Sequence, residues 1–384
     1  MLVAVPLAVL LAVFVPSGAL ADDGEASASI HVRGDTDRTV VVAPRVGTQA
    51  RFNENRTTVT GAYSVDVWTS ASVDIRTAAS EVITEQRDQL DFSLNHELDD
   101  VTLGGSYYYS GENDYWSHGF TLRSTQELFG GSTTLDESVR FVHDVVGRAG
   151  DSLERSLNSG TVRTVLTQIF SPEAIGQLVW EGTYRNGFQS SPYRYVGITY
   201  TPVPDVNLRY VCGQVPIDDE TASGDSTLCI PESHPSVRIR NAFVGRFRYA
   251  FSRDTSAGVA YRFYFDDWGV TSHTAAVQIG FVPARDQVLT LRYRFYSQEA
   301  ASFYRSSYEF DRDAVVRYVT RDRELSPMLS NRIAIAYQGR AQLTDDVSLK
   351  VALAVGGTVF VYADFVGLSE VFSLDGTLAF TLEL

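Results

Sequence analysis

The feature that most constrains the fold is a strict alternation of apolar and polar residues in segment after segment. Residues 90–95 place Leu, Phe and Leu at every second position, with Asp, Ser and Asn between them, and residues 259–266 and 289–296 alternate in the same way. Successive side chains of a β-strand point to opposite faces, whereas a helix would scatter each set around its axis. The pattern predicts many strands, each with one apolar face.

The distribution of apolar residues excludes membrane-spanning helices in the rest of the chain. Hydrophobic residues make up 44% of the sequence, yet after the N-terminal segment no run approaches the ~18 residues that a spanning helix needs. A membrane protein with alternating strands must close them into a barrel, because only closure satisfies every backbone N–H and C=O. We therefore predict an all-β fold, a transmembrane antiparallel up-and-down β-barrel.

Turn positions predict the number of strands. Short polar turns occur at 53–55, 98–100, 130–131, 171–173, 252–254, 283–285 and 344–346. Longer polar segments lie between them, at about 69–85, 146–160, 187–235 and 298–328, and these are expected on the outer face. If the last strand ends in the periplasm, a further strand at 26–33 must open the barrel. The expected total is about sixteen strands, or fourteen if that first hairpin lies outside the wall.

The two ends of the chain predict export and assembly. Residues 1–21 resemble a signal peptide that ends in Ala19-Leu20-Ala21, which leaves 22–384 as the barrel domain, and an uncleaved anchor is the alternative. The final residues alternate like a strand that barrel-assembly machinery would recognise. In an oxidising compartment, Cys212 and Cys229 are expected to form a disulfide that closes a surface loop.

Composition and motifs argue against several function classes. A net charge of −15 disfavours nucleic acid as a partner. The six histidines show no metal-binding spacing, so no metal or cofactor is expected. Ser117 and His118 are adjacent on a strand and would face opposite sides, so they cannot act as a catalytic pair. We expect no enzyme activity.

The lumen is where charged side chains are expected, since Arg facing hydrocarbon costs roughly 2–4 kcal/mol at the midplane. Parity predicts one basic wall, made by Arg238, Arg240, Arg246, Arg248, Arg262, Arg292, Arg294, Arg332, Arg340 and Lys350. It predicts a facing wall that is largely acidic, made by Asp66, Asp91, Glu127, Asp136, Asp144 and Glu181, with Arg123 and Arg140 among them. Two interpretations remain open, an electric field across a pore and a set of structural salt bridges that fills the interior.

Several ordered blocks resemble a known family. They are Asp66–Ser72, Leu166–Pro172, Ser191–Arg194, Tyr261–Gly269 and Tyr293–Ala301, followed by Phe303 and Tyr304. In this order they are similar to bacterial outer-membrane barrels known as domain of unknown function 3570, although Ser70 stands where that family usually has Gly. The resemblance implies an outer-membrane location and a barrel fold, and it implies no reaction.

These observations favour a porin-like channel for small hydrophilic or anionic solutes. The alternative is a barrel with a closed lumen that serves as an outer-membrane scaffold or anchor for a partner protein. Its expected contacts are therefore outer-membrane lipid, the assembly machinery, and either a solute or an unknown protein partner.

Overall fold

The protein forms a closed antiparallel β-barrel of sixteen strands in a computed structural model. The structure describes residues 21–70, 83–148, 152, 154–199, 227–309, 317–365 and 367–384. Helix within these residues is limited to one 3-10 turn at Arg323–Leu325. Within the same ranges no helix has the length and apolar character required to cross a membrane.

The strands of the wall follow the chain order except where two connections carry short strands of their own. They are β1 (Asp23–Asp35), β2 (Thr39–Phe52), β3 (Thr57–Ser70), β4 (Ile83–Leu98), β5 (Val101–Gly111), β6 (Tyr115–Leu128), β7 (Thr133–Val146), β8 (Arg155–Ser171), β9 (Ala174–Gly187), β12 (Val237–Ala250), β13 (Thr255–Asp266), β14 (Thr271–Phe281), β15 (Gln287–Gln298), β17 (Met328–Gln342), β18 (Ser348–Tyr362) and β19 (Glu370–Glu383). Each strand pairs with the next one in this series.

Closure occurs between the first and the last strand. The β1–β19 ladder runs from Glu25 opposite Glu383 to Asp35 opposite Ser373. The first hairpin therefore belongs to the wall, which confirms the expectation of sixteen strands and excludes fourteen. Closure leaves no free strand edge in the wall, so its backbone groups are satisfied between neighbouring strands.

Short turns occupy one end of the barrel, at all seven positions that the sequence indicated. The turn after β2 places Asn53, Glu54 and Asn55 at positive φ, with values of 57°, 59° and 66°. Asn tolerates this left-handed region better than most residues, and Gly at 130 and 131 meets the same demand after β6. Both chain ends of the barrel lie at this end, which fits the periplasmic side of bacterial barrels.

Side-chain exposure follows the alternation. On β12 the exposed large apolar residues are Ile239, Phe243, Phe247 and Tyr249, all on one parity. On β15, Leu289, Leu291 and Tyr293 are exposed on one parity, and Val288 next to the short turn is the exception. These rows form the outer, lipid-facing surface, and the residues between them face the lumen.

The opposite end carries a small additional sheet that the sequence did not predict. It contains β10 (Tyr195–Thr199), β11 (Thr227–Pro231) and β16 (Tyr308–Glu309) in the order β11-β10-β16. The β10–β16 pair is parallel and joins the two longest connections, which were expected only as polar loops. The loop expected at 146–160 is also shorter, because β8 already begins at residue 155.

Two expectations lie outside the described residues. Residues 1–20 of the expected signal peptide are not described, and neither is Cys212, so the disulfide with Cys229 stays a prediction. The backbone of Cys229 lies on β11 opposite Gly197.

Candidate functional site: the charged lumen and its cap

The inner face of β12–β18 carries all ten basic residues expected there. Their parity is opposite to that of the exposed apolar rows, as with Arg292 and Arg294 on either side of Tyr293. The inward positions on β13 and β14 between them are mostly small, including Gly258, Ala260 and Ala276. The long cationic side chains of the neighbouring strands therefore border a part of the inner wall that carries small side chains.

Carboxylates neutralise part of this wall, and two of them, Asp266 and Glu383, lie near its two ends. Arg238 donates to Asp266 over 2.6 and 2.9 Å near the mouth. At the end with the short turns, Glu383 lies between Arg340, at 2.9 Å, and Lys350, with which it also forms an ion pair. Arg240 lies beside Asp266 as its cross-strand neighbour, and its Nε is buried without a hydrogen-bond partner.

Arg332 is neutralised at mid-height. Its Nη2 donates to Asp375 over 2.8 Å and its Nη1 forms a second bond to the same carboxylate. Nη1 also lies 3.1 Å from the Thr358 hydroxyl. A Cβ at Gly356 would overlap this guanidinium. Because glycine has no side chain, the guanidinium can lie against the backbone of the wall and still reach Asp375.

Five further arginines have no carboxylate among their cross-strand neighbours: Arg246, Arg248, Arg262, Arg292 and Arg294. Among the described residues none of these five forms an ion pair. Arg246 and Arg248 contact side-chain amides, and Arg262 and Arg294 lie over aromatic rings. Four of the five, all except Arg262, line a cavity of about 550 Å³ on the inner wall, together with Arg332. We call this cavity the arginine trough.

The facing wall carries several separate ion pairs. Asp66 pairs with Arg87, Asp91 with Arg45 at 3.2 Å, Asp136 with Arg123, and Glu181 with Arg163 at 3.8 Å. Asp144 is buried beside Tyr115 and Arg185, and Arg140 lies over the ring of Tyr108 at 5.3 Å. Glu127 is exposed near the short-turn end. Four of the six expected acids are thus neutralised in place, and the facing wall is balanced rather than acidic.

Sequence reasoning missed the partners of these charges. It omitted Arg45, Arg87 and Arg163 on the facing wall, and Asp266, Asp375 and Glu383 on the basic wall. All six occupy lumen parity, so the same alternation would have identified them. Parity gives the face of a residue, but it does not give the lateral neighbour that neutralises it.

A packed cap covers part of the mouth with the long connections. Its larger apolar core contains Trp268, Val270, Ala301, Tyr304 and Leu325. The Trp268 indole donates to the Val237 carbonyl over 2.8 Å and its ring lies 4.2 Å from the Arg238 guanidinium. Since Arg238 faces the lumen, this core sits against the inner rim of the barrel.

A second, smaller core joins the two inserted connections. Val196, Tyr308 and Val319 are buried together at the three-stranded sheet. Beside them, Glu232 is fully buried and accepts hydrogen bonds from the Thr320 hydroxyl at 2.6 Å and the Ser191 backbone at 3.0 Å. Arg194 adds an ion pair at 3.2 Å, and His234 lies 3.4 Å away.

These contacts set the charge of Glu232. Burial would raise the pKa of its carboxyl, but hydrogen bonding to His234 and the charge of Arg194 outweigh burial and lower the pKa to about 2. Glu232 is therefore ionised at neutral pH. It connects residues 191–194, 232–234 and 320–321, which come from both long connections.

The cap is tied to the rim at widely separated positions. Arg323 pairs with Asp37 of the β1–β2 turn at 2.8 Å, and the Tyr304 hydroxyl donates to the Asp364 carbonyl at 2.6 Å. On the other side, Arg148 donates to the Tyr195 hydroxyl at 2.9 Å. The long connections therefore reach across much of the mouth.

In the described part of the chain, no group of three His, Cys, Asp or Glu side chains is arranged to hold a metal ion.

A closed sixteen-stranded barrel with an apolar outer face and a charged inner face defines an outer-membrane type of protein. A family model described as protein of unknown function, DUF3570, matches residues 76–355. The chain belongs to this family, as the sequence blocks predicted.

Several solved structures are similar to this chain at very low identity, and one of them shares its fold. One titled bacterial polysaccharide outer membrane secretin superimposes with a TM-score of 0.52 at 7% identity, covering 94% of this chain and 98% of the other. The siderophore receptor PirA from Acinetobacter baumannii gives 0.45 at 10% identity, covering 89% and 53%. OccK5 of Pseudomonas aeruginosa gives 0.42 at 7%, covering 94% and 98%. No curated protein matches the sequence.

Proposed function

We propose that this protein is an outer-membrane channel for small hydrophilic solutes that favours anions. The observation that carries the proposal is the set of five lumen arginines without a carboxylate partner among the described residues. Salt bridges that merely filled the interior would neutralise both walls, as they do on the facing wall. An uncompensated row of cations instead attracts anions and repels cations along the pore.

The test is ion conduction by the refolded protein in planar lipid bilayers. Under a KCl gradient we expect unitary conductance steps and a reversal potential that indicates preference for chloride. Arg292→Glu/Arg294→Glu should move the reversal potential towards cation preference. As a control for a single charge reversal, Arg285→Glu lies in a turn where its side chain is 97% exposed and should leave selectivity as it is. An unchanged potential in the double variant would remove the basic wall from the account.

A closed-lumen scaffold is the second candidate, and the packed cap favours it. Two apolar cores and the buried Glu232 hold the inserted connections across the mouth. Wild-type protein that inserts into bilayers without conductance steps would support the scaffold and contradict the channel.

We further propose that the protein has no catalytic role. Ser117 is buried on lumen parity opposite Asp144, whereas His118 bonds to Tyr107 on the outer face. The adjacent pair Ser117-His118 is therefore split across the wall. Incubation with ester substrates should give no hydrolysis above that of a Ser117→Ala variant.

A further inference from the structure

The arginine trough has a geometry suited to more than general attraction of anions. Arg246 and Arg248 stand on β12, and Arg292 and Arg294 stand on β15. Three strand spacings separate the two pairs, roughly 14 Å between backbones. Gly258, Ala260 and Ala276 form most of the floor between them. Gln278 stands between Arg248 and Arg292, so the gap is widest between Arg246 and Arg294, where only Ala260 and Ala276 intervene.

The arginines are oriented by neutral partners. Arg246 donates to the Gln177 amide oxygen over 2.7 Å, and the Gln278 amide oxygen faces Arg248. Arg294 lies over the ring of Tyr296 at 5.8 Å. These contacts hold three of the four guanidinium groups in place but leave their positive charge uncompensated. A ligand would thus meet partly preorganised cations, which lowers the entropic cost of binding.

We infer that the trough is a binding site for an elongated solute with two anionic groups. This inference rests on the proposed function and names the solute class for that same lumen. Guanidinium groups bind carboxylate and phosphate oxygens through paired hydrogen bonds, so either anionic group fits the chemistry. A volume of about 550 Å³ suits a small metabolite, with one anionic end on each arginine pair.

The experiment measures block of the chloride current by three probes in planar bilayers. Adipate carries two carboxylates, fructose 1,6-bisphosphate carries two phosphates, and acetate carries one carboxylate. We expect saturable block by one or both of the probes with two anionic groups, and at least tenfold weaker block by acetate. The comparison of adipate with the bisphosphate identifies which anionic group the site prefers.

Variants assign the block to the trough. Arg292→Gln/Arg294→Gln should raise the half-blocking concentration at least tenfold. Gln278→Glu should have a similar effect, because it places a carboxylate beside Arg248 and Arg292 without removing an arginine. As a matched control, Arg163→Gln/Glu181→Gln removes a neutral pair from the facing wall and should leave block unchanged.

Failure of the inference is distinguishable from failure of the channel. A conducting protein that adipate and the bisphosphate block no better than acetate would overturn the site and leave the channel intact. If the protein does not conduct, calorimetric titration of the detergent-folded protein with the same probes measures whether the arginine trough binds them. Arginine-dependent binding then supports the site, and absence of binding overturns it.

Discussion

At the scale of single residues, Arg332 shows how space and charge are matched on the inner wall. The guanidinium lies against Gly356 and is held by Asp375 and Thr358. A larger residue at 356 would push the guanidinium away from its carboxylate. The ion pair therefore depends on a missing side chain as much as on two charges.

Gly356→Ala should displace the Arg332 guanidinium from Asp375 and destabilise the barrel by up to about 1 kcal/mol, because the overlapping atoms end a flexible side chain and the ion pair is partly exposed. Gly160→Ala is the control, because no atom lies within 4 Å of the added Cβ there and Ala suits a strand better than Gly. Urea unfolding in lipid vesicles, followed by tryptophan fluorescence, measures both. Equal stability of the two variants would contradict the packing described for Arg332.

The alternation of apolar and polar residues predicts which face a side chain occupies, but it does not predict that side chain's ion-pair partner. The alternation gave the inward face of Arg292 and of Asp91, because side chains alternate strictly along a strand. It could not show that Asp91 meets Arg45, which lies two strands away. Lateral pairing depends on register and side-chain reach, and these arise only when all strands are in place.

At the scale of elements, the strands were predictable and the cap was not. Each of the seven short turns contains Asn, Asp, Gly or Pro, and the strands between them alternate. The β10–β16 pair instead joins residues 198 and 308, more than a hundred positions apart in sequence. Neither strand is longer than five residues, so no periodicity could reveal them.

The cap should loosen in acid through Glu232. Its pKa is lowered from 4.5 to about 2 in the folded protein, so its ionised form stabilises the cap above pH 4.5. That stability should be lost as the pH falls from 4.5 through about 2, by on the order of a few kcal/mol. Hydrogen exchange at the Ser191 and Arg321 amides, which donate to Glu232, measures it after correction for intrinsic rates.

Glu232→Gln should abolish this acid-dependent step and show weaker protection already at pH 7. Glu54→Gln, in an exposed turn at the opposite end, should behave as the wild type does. Protection that falls equally with pH in wild type and Glu232→Gln would exclude Glu232 as the acid-sensitive link.

At the scale of the whole molecule, the sign of the net charge and that of the arginine trough are opposite. The chain carries −15 overall, while five arginines line one wall of the lumen without an ion pair among the described residues. Net charge therefore says little about the pore. What a solute meets there depends on the local field, which low-dielectric walls focus along the axis.

Anion preference should weaken as salt concentration rises. The Debye length falls from about 10 Å at 0.1 M to about 3 Å at 1 M, so ions screen the arginines more completely. Reversal potentials at a fixed concentration ratio should give a chloride-to-potassium permeability ratio that approaches one at high salt. A ratio independent of salt would mean that selectivity arises from pore size and not from the field.

Neighbouring residues of one strand face water and lipid in turn around the closed barrel. The most direct test labels single cysteines with a membrane-impermeant maleimide in reconstituted vesicles, in a Cys212→Ser/Cys229→Ser background. Arg292→Cys and Arg294→Cys should react, and Tyr293→Cys between them should not. Reaction at position 293 with protection at 292 and 294 would contradict the account.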